Sequence, residues 1–275
     1  MLLMDITTMI TPLLGMLIGI LMGLTGAGGG IISVPLLIFF LDLKIAEAGP
    51  VALTAIASSA GIGALLAHRA KTLRYKAATL MALCGLVFAP AGLYLAFKLP
   101  NKPLSILFGL ILLIVAIRSF LQAHHELTGT NPKPNTNPPC CINPQTGKFI
   151  WSGPCLRTML LIGSVAGFLS GLLGVGGGFV IVPALKKYTD LSPTSVISTS
   201  LGVMSIIAIG SVGMSAYAGT LLWSIAILFS LGAIIGLLIG RRFHSYLNPG
   251  RSHQAFAIFT FLIAVYLLTQ TFLHL

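Results

Sequence analysis

The chain has 275 residues, of which 56% are hydrophobic and 8% charged, with a mean hydropathy of +1.00. Soluble domains carry about 25% charged residues, so this composition excludes an ordinary soluble fold and indicates an all-α polytopic membrane protein. The formal charge of +11 does not imply nucleic acid, because bilayer proteins collect Lys and Arg on cytoplasmic loops and no RNA- or DNA-binding motif is present.

The opening "MLLMDITTMITPLL" has neither a basic n-region nor a small-residue cleavage site, so no removable signal peptide is expected. Next comes "GLTGAGGGIISVP", residues 23–35, a glycine cluster inside an apolar stretch. The arms on either side, 9–25 and 30–41, span about 24 Å and 18 Å as helix, which predicts half-helices around a break. Backbone exposed by a break inside hydrocarbon is tolerated only where protein or a water-filled cavity satisfies it. Gly26, Gly28, Gly29 and Gly30 can therefore line a site at which main-chain N–H groups and a helix N-terminus face an anion. The competing reading is close helix packing, and Gly15-x-x-x-Gly19-x-x-x-Gly23 is such a face. A dinucleotide fingerprint is excluded, since the cluster follows no strand and sits in no βαβ unit.

Apolar runs at 46–67, 77–97 and 103–121 each reach the ~20 residues of a membrane span. Thr54, Ser58 and Ser59 cluster early in the first of them. Their hydroxyls can assist an oxyanion, or simply bond their own i−4 carbonyls. Asp42 ends the first broken segment and its equivalent Asp190 the second, where they are candidate gate residues or simply solvated helix-end groups; His68 and Arg69, with Lys71 and Arg74, form a candidate vestibule that positive-inside anchoring explains equally well. All five acidic residues lie at or outside span ends, so no intramembrane carboxylate is available for a proton relay or a metal.

Residues 123–156 are polar and rich in Pro and Asn, a loop between a first membrane repeat (1–122) and a second (157–275). Cys140, Cys141 and Cys155 are too few and too unevenly placed to read as a disulfide framework, and are expected to be inert thiols in a reducing cytoplasm. A soft-metal or sulfane-sulfur site is the alternative.

The second repeat restates the first 148 residues later. Gly15, Gly19, Gly23, Gly26, Gly28, Gly29, Gly30 and Pro35 fall on Gly163, Gly167, Gly171, Gly174, Gly176, Gly177, Gly178 and Pro183, and Asp42-Leu43 falls on Asp190-Leu191. Ser192 and Pro193 read as the cap and first turn of a helix. Ser198, Thr199, Ser200 and Ser205 repeat the early hydroxyls within the run 194–216, and spans at 221–240 and 254–273 complete the half.

Charge decides the topology. If each broken segment crosses once, Lys and Arg divide evenly; if it turns back, 13 of the 16 fall on one side and only Lys44, Lys98 and Lys102 on the other. The positive-inside rule selects the second arrangement. The expectation is two inverted-topology repeats, each a Gly-broken helical hairpin plus three transmembrane helices, with the loop cytoplasmic and both termini outside. Inversion brings the two breaks together near the midplane, where secondary transporters commonly bind substrate.

The duplicated "GLTGAGGGIISVP" and "GFLSGLLGVGGGFVIVP", the "DL" after each, and "INPQTGKFIWSGPC" resemble the sulfite exporter TauE/SafE family, also called the four-toluene sulfonate uptake permeases. The resemblance covers essentially the whole chain. It implies a bacterial or archaeal inner-membrane carrier of sulfite, sulfoacetate or related sulfonates, with no cofactor. Many carriers of this kind dimerise, which leaves a homodimer open. An anion channel through the same pore, or a cysteine-dependent membrane redox protein, are the competing functions; no nucleophile–base pair or nucleotide motif supports an enzyme.

Overall fold

The computed structural model describes residues 2–26, 28–128, 138–141, 149–244 and 249–273. The described residues form ten helices: α1 (Leu2–Thr25), α2 (Gly28–Leu41), α3 (Ile45–Arg69), α4 (Tyr75–Lys98), α5 (Asn101–Thr128), α6 (Gly153–Leu173), α7 (Gly178–Tyr188), α8 (Pro193–Tyr217), α9 (Trp223–His244) and α10 (Pro249–Leu273). Seven of them, α3, α4, α5, α6, α8, α9 and α10, are long and apolar enough to cross a membrane. In lipid, helices satisfy every backbone group internally, which is why such a sequence folds this way.

The 148-residue offset carries α3 onto α8, α4 onto α9 and α5 onto α10 at their first residues. Packing follows the same exchange. α1 packs on α9 and its counterpart α6 on α4, while α3 pairs with α8 and α5 with α10. α3 and α8 are the most enclosed of the spanning helices and α5 and α10 the least, so the equivalent pair α3 and α8 forms the centre. These two run in opposite directions: Gly63 approaches Leu201, and the Thr72 hydroxyl, just beyond α3, lies 2.9 Å from that of Ser198 near the start of α8.

Small residues set the closest contacts. Gly15, Gly19 and Gly23 of α1 face the α9 backbone at Phe229, Ala233 and Leu237, and Gly232, Gly236 and Gly240 of α9 face Pro12, Met16 and Ile20 in return. On the other side Gly163, Gly167 and Gly171 of α6 meet Met81, Gly85 and Ala89 of α4. Without side chains between them the two backbones approach closely, and dispersion replaces the hydrophobic driving force that lipid removes.

Three sequence expectations need correction. Of the four arms only α6, with 21 residues and about 30 Å, is long and apolar enough to cross, so it is not a half-helix; α2 and α7 have 14 and 11 residues, and the apolar part of α1, Met9–Thr25, keeps the expected extent. Secondly, the helices extend into the expected loop 123–156. α5 runs on through Thr128, and α6 begins at Gly153 because the Ser152 hydroxyl accepts from the Cys155 amide with Pro154 in the first turn.

Thirdly, Cys140 and Cys155 are joined by a disulfide, not left as separate thiols. Tertiary packing, not their spacing, brings them together. Cys140 also donates its amide to the Tyr188 carbonyl at 3.3 Å, pairing the loop with Thr189 at the end of α7. The start of α6 and the end of α7 thus lie at the same end of the molecule, and the second broken segment turns back on itself. Cys141 remains free and exposed, and Cys84 is free and half-buried.

Candidate functional site

The two glycine clusters meet. A Cβ on Gly30 would lie 2.7 Å from the Val175 carbonyl oxygen, and both Gly30 and Gly176 abut Ile56 and Met204. Ile56 and Met204 are repeat equivalents, each halfway along its helix, α3 or α8. The breaks therefore face one another at the centre of the bundle, against the middle of both enclosed helices.

Within the clusters the glycines have different tasks. Gly29 and Gly177 are equivalents that pack on the first arm of their own hairpins, at Ile18 and Ala166. Gly28, Gly29, Gly30 and Gly178 lie in helix, so the expectation that every cluster position provides left-handed backbone holds for only some of them. Gly26, Gly174, Gly176 and Gly177 have φ between 71° and 75°. At Gly174 a side chain is excluded twice over, by that φ and by the backbone of Gly49 against which it lies. Gly26 touches Ile197, the equivalent of Gly49, so each break leans on the crossing helix of the other half.

The breaks end differently. In the second half Gly174 caps α6 and Gly177 precedes α7. The amides of Val180 and Ile181 turn back onto the Gly177 carbonyl, whereas those of Gly178 and Phe179 have no acceptor among the described residues. They are the unpaired donors expected at a helix N-terminus, with the positive end of the helix dipole behind them.

The hydroxyls are largely committed to the protein in this conformation. Thr54 donates to Pro50 O at 2.8 Å and Ser58 to Thr54 O at 3.0 Å. Thr199 accepts from the Arg74 amide at 3.3 Å. Ser200 donates to Ile197 O at 2.8 Å and to Gly26 O at 3.2 Å, joining α8 to the first break. Ser200→Ala should cost about 1 kcal/mol, since it strands a buried carbonyl; a thermal melt of the purified variant against wild type measures it, and an unchanged melting point would remove this bond from the account.

The candidate gates lie at the ends. Asp42 is exposed with φ 54°, just past α2; Asp190 is exposed between α7 and α8; His68 and Arg69 are exposed in the last turn of α3. The structure brings none of these four to the breaks. Sequence reasoning missed Ser170, whose hydroxyl is fully buried with no hydrogen-bond partner among the described residues, four residues before Gly174. A lone serine in a small-residue helix face gives no signal of this in the sequence.

With this geometry in hand, the chain matches the sequence profile of the family described as Sulfite exporter TauE/SafE over residues 12–267. It is similar to a "Probable membrane transporter protein" of Xylella fastidiosa (strain 9a5c), 28% identical over 272 residues and 95% of each chain. A "Probable membrane transporter protein" of Methanocaldococcus jannaschii is 28% identical over 74% of this chain and 71% of its own, and one of Bacillus subtilis, YunE, is 26% identical over 84% and 86%. No solved structure matches the chain.

Proposed function

The chain belongs to the sulfite exporter TauE/SafE family and is a multi-pass membrane protein of transporter type; on that premise we propose that it is a secondary transporter of small sulfur-containing anions such as sulfite, sulfoacetate or other sulfonates, working by alternating access in a prokaryotic inner membrane. The substrate is held where the paired breaks meet. One observation carries this reading: the two breaks converge between Ile56 and Met204, with the first-turn amides of α7 unpaired beside them. Backbone N–H groups hold a compact oxyanion without placing a charged side chain in the bilayer. Antiparallel packing of the equivalent helices α3 and α8 supports inverted repeats, which alternating access exploits by moving one repeat against the other.

Reconstituted in liposomes, the protein should take up labelled sulfite or a labelled sulfonate with saturable kinetics. Gly176→Ala forces a left-handed residue to carry a side chain, and Gly30→Ala pushes the breaks apart at Val175. Each should lower uptake by at least about tenfold, the effect of losing one strong contact to a charged group. Gly61→Ala, where a Cβ meets nothing, is the control and should leave uptake unchanged. Full uptake by both break variants would place the site elsewhere, and flux that never saturates would favour a channel.

A further inference from the structure

The hairpins differ in one respect that the repeat does not predict. Beside α7, at the end of the molecule that carries the Cys140–Cys155 bond, is a cavity of about 470 Å³. It runs from Lys187 and Tyr188 at the end of α7 down to Phe179 in its first turn and Thr25 at the end of α1, with Arg118, Ser119 and Gln122 of α5 on the facing wall. Between these ends the lining is apolar, and it contains no carboxylate.

The 148-residue offset identifies the counterpart positions in the other half. Arg118 corresponds to Tyr266, Lys187 to Phe39, Tyr188 to Phe40 and Ser119 to Leu267. There Phe39 stacks edge-on against Phe40, with centroids 4.7 Å apart, and against Tyr266 at 4.9 Å. A cluster of exposed aromatics thus stands at the place that, beside α7, is open and rimmed by two cations. The two pairs are packed differently, α2 against α10 in one half and α7 held off α5 by the cavity in the other; the cations stand at helix ends on the side that the charge distribution assigns to the cytoplasm, so the open half is also the half that meets an anion with positive charge.

We propose that this cavity is a one-sided binding site for a small organic anion with an apolar body, its oxyanion head at the Arg118 and Lys187 rim and its body against Ile111, Val115, Phe179 and Val182. A guanidinium and an ammonium flanking an apolar wall are complementary to such a molecule and give inorganic sulfite little to fill. The proposal rests on the carrier reading and adds to it a sided specificity site, through which substrate reaches the breaks from the loop end. An anionic lipid presents the same chemistry, a charged head on an apolar body; the site is assigned to the free anion, and the test separates the two.

The experiment is equilibrium binding of methanesulfonate, butanesulfonate and hexanesulfonate to the full chain in nanodiscs of phosphatidylcholine. Affinity should rise by about fourfold per added methylene until the cavity is filled, and Arg118→Gln and Lys187→Gln should each weaken hexanesulfonate by about tenfold. The double variant Arg118→Tyr, Lys187→Phe, which copies the other half, should abolish binding while melting like wild type. Affinity independent of chain length, or unchanged in these variants, overturns the proposal. Loss of hexanesulfonate binding when a modest fraction of phosphatidylglycerol is added assigns the cavity to lipid and likewise overturns it. Binding without sulfonate uptake in liposomes would sink the carrier reading and leave the site standing, whereas uptake that persists in the double variant would do the reverse.

Discussion

Gly167→Ala is expected to abolish assembly of the protein, and its repeat equivalent Gly19→Ala to do the same. A methyl on Gly167 would fall on the Cα and carbonyl of Gly85, and one on Gly19 on the carbonyl of Ala233, both of them backbone. Neither neighbour can rotate away, so relief requires moving α6 from α4, or α1 from α9, along the whole contact. Overpacking a close-packed interior costs about 1–3 kcal/mol where side chains can adjust; with backbone on both sides the cost lies at or beyond the upper end of that range. The measurement is the yield and melting temperature of monodisperse protein in mild detergent. Gly61→Ala and Gly213→Ala, which meet open space, should melt at or slightly above the wild-type temperature because alanine is the better helix former. If Gly167→Ala melts with wild type, the tight α4–α6 contact is not what holds the hairpin in place.

Breaking the Cys140–Cys155 bond should release the inter-repeat loop from the second hairpin. The two residues are 15 apart in sequence, for which the chain-entropy argument gives about 3 kcal/mol. Cys140→Ser, Cys155→Ser and reductant should lower the melting temperature by the same amount, and reductant should then have no further effect on either variant. In the native protein an impermeant maleimide should label Cys141 rapidly, since it is the exposed free cysteine, with Cys140 and Cys155 labelled only after reduction.

The same reagent fixes orientation. The charge distribution places the loop in the cytoplasm, where disulfides are rare, whereas the bond itself is characteristic of an oxidising compartment. Labelling of Cys141 confined to inside-out vesicles would keep the loop cytoplasmic and make the bond a thiol-responsive one. Labelling in intact cells would put it outside and reverse the orientation inferred from charge. A wild-type melting temperature insensitive to reductant would show that Cys140 is held by its contact with Tyr188 and the packing around it, not by the bond.

What the amino-acid sequence determined by itself is local or periodic. Composition and run length suffice for a helical membrane protein, because a bilayer leaves the backbone no alternative. Duplication is visible because Gly15, Gly19 and Gly23 and their equivalents Gly163, Gly167 and Gly171 must stay small wherever backbones touch. Ser192 and Pro193 mark the start of α8 for the same reason, since cap chemistry involves only neighbours. The tertiary structure decided the rest. It joined Cys140 to Cys155, which spacing alone does not pair, and it brought the Ser200 hydroxyl to the Gly26 carbonyl, whereas the Thr54 and Ser58 hydroxyls bond carbonyls four residues back, as any helix allows. It also divided the glycines between packing, as at Gly29 and Gly177, and left-handed turns, as at Gly26 and Gly174. Both clusters read alike in one dimension, because a missing side chain serves a close contact and an unusual φ equally well. Only the position of the neighbouring helix says which is required, and only that position leaves Arg118 and Lys187 around a cavity where their equivalents Tyr266 and Phe39 touch each other.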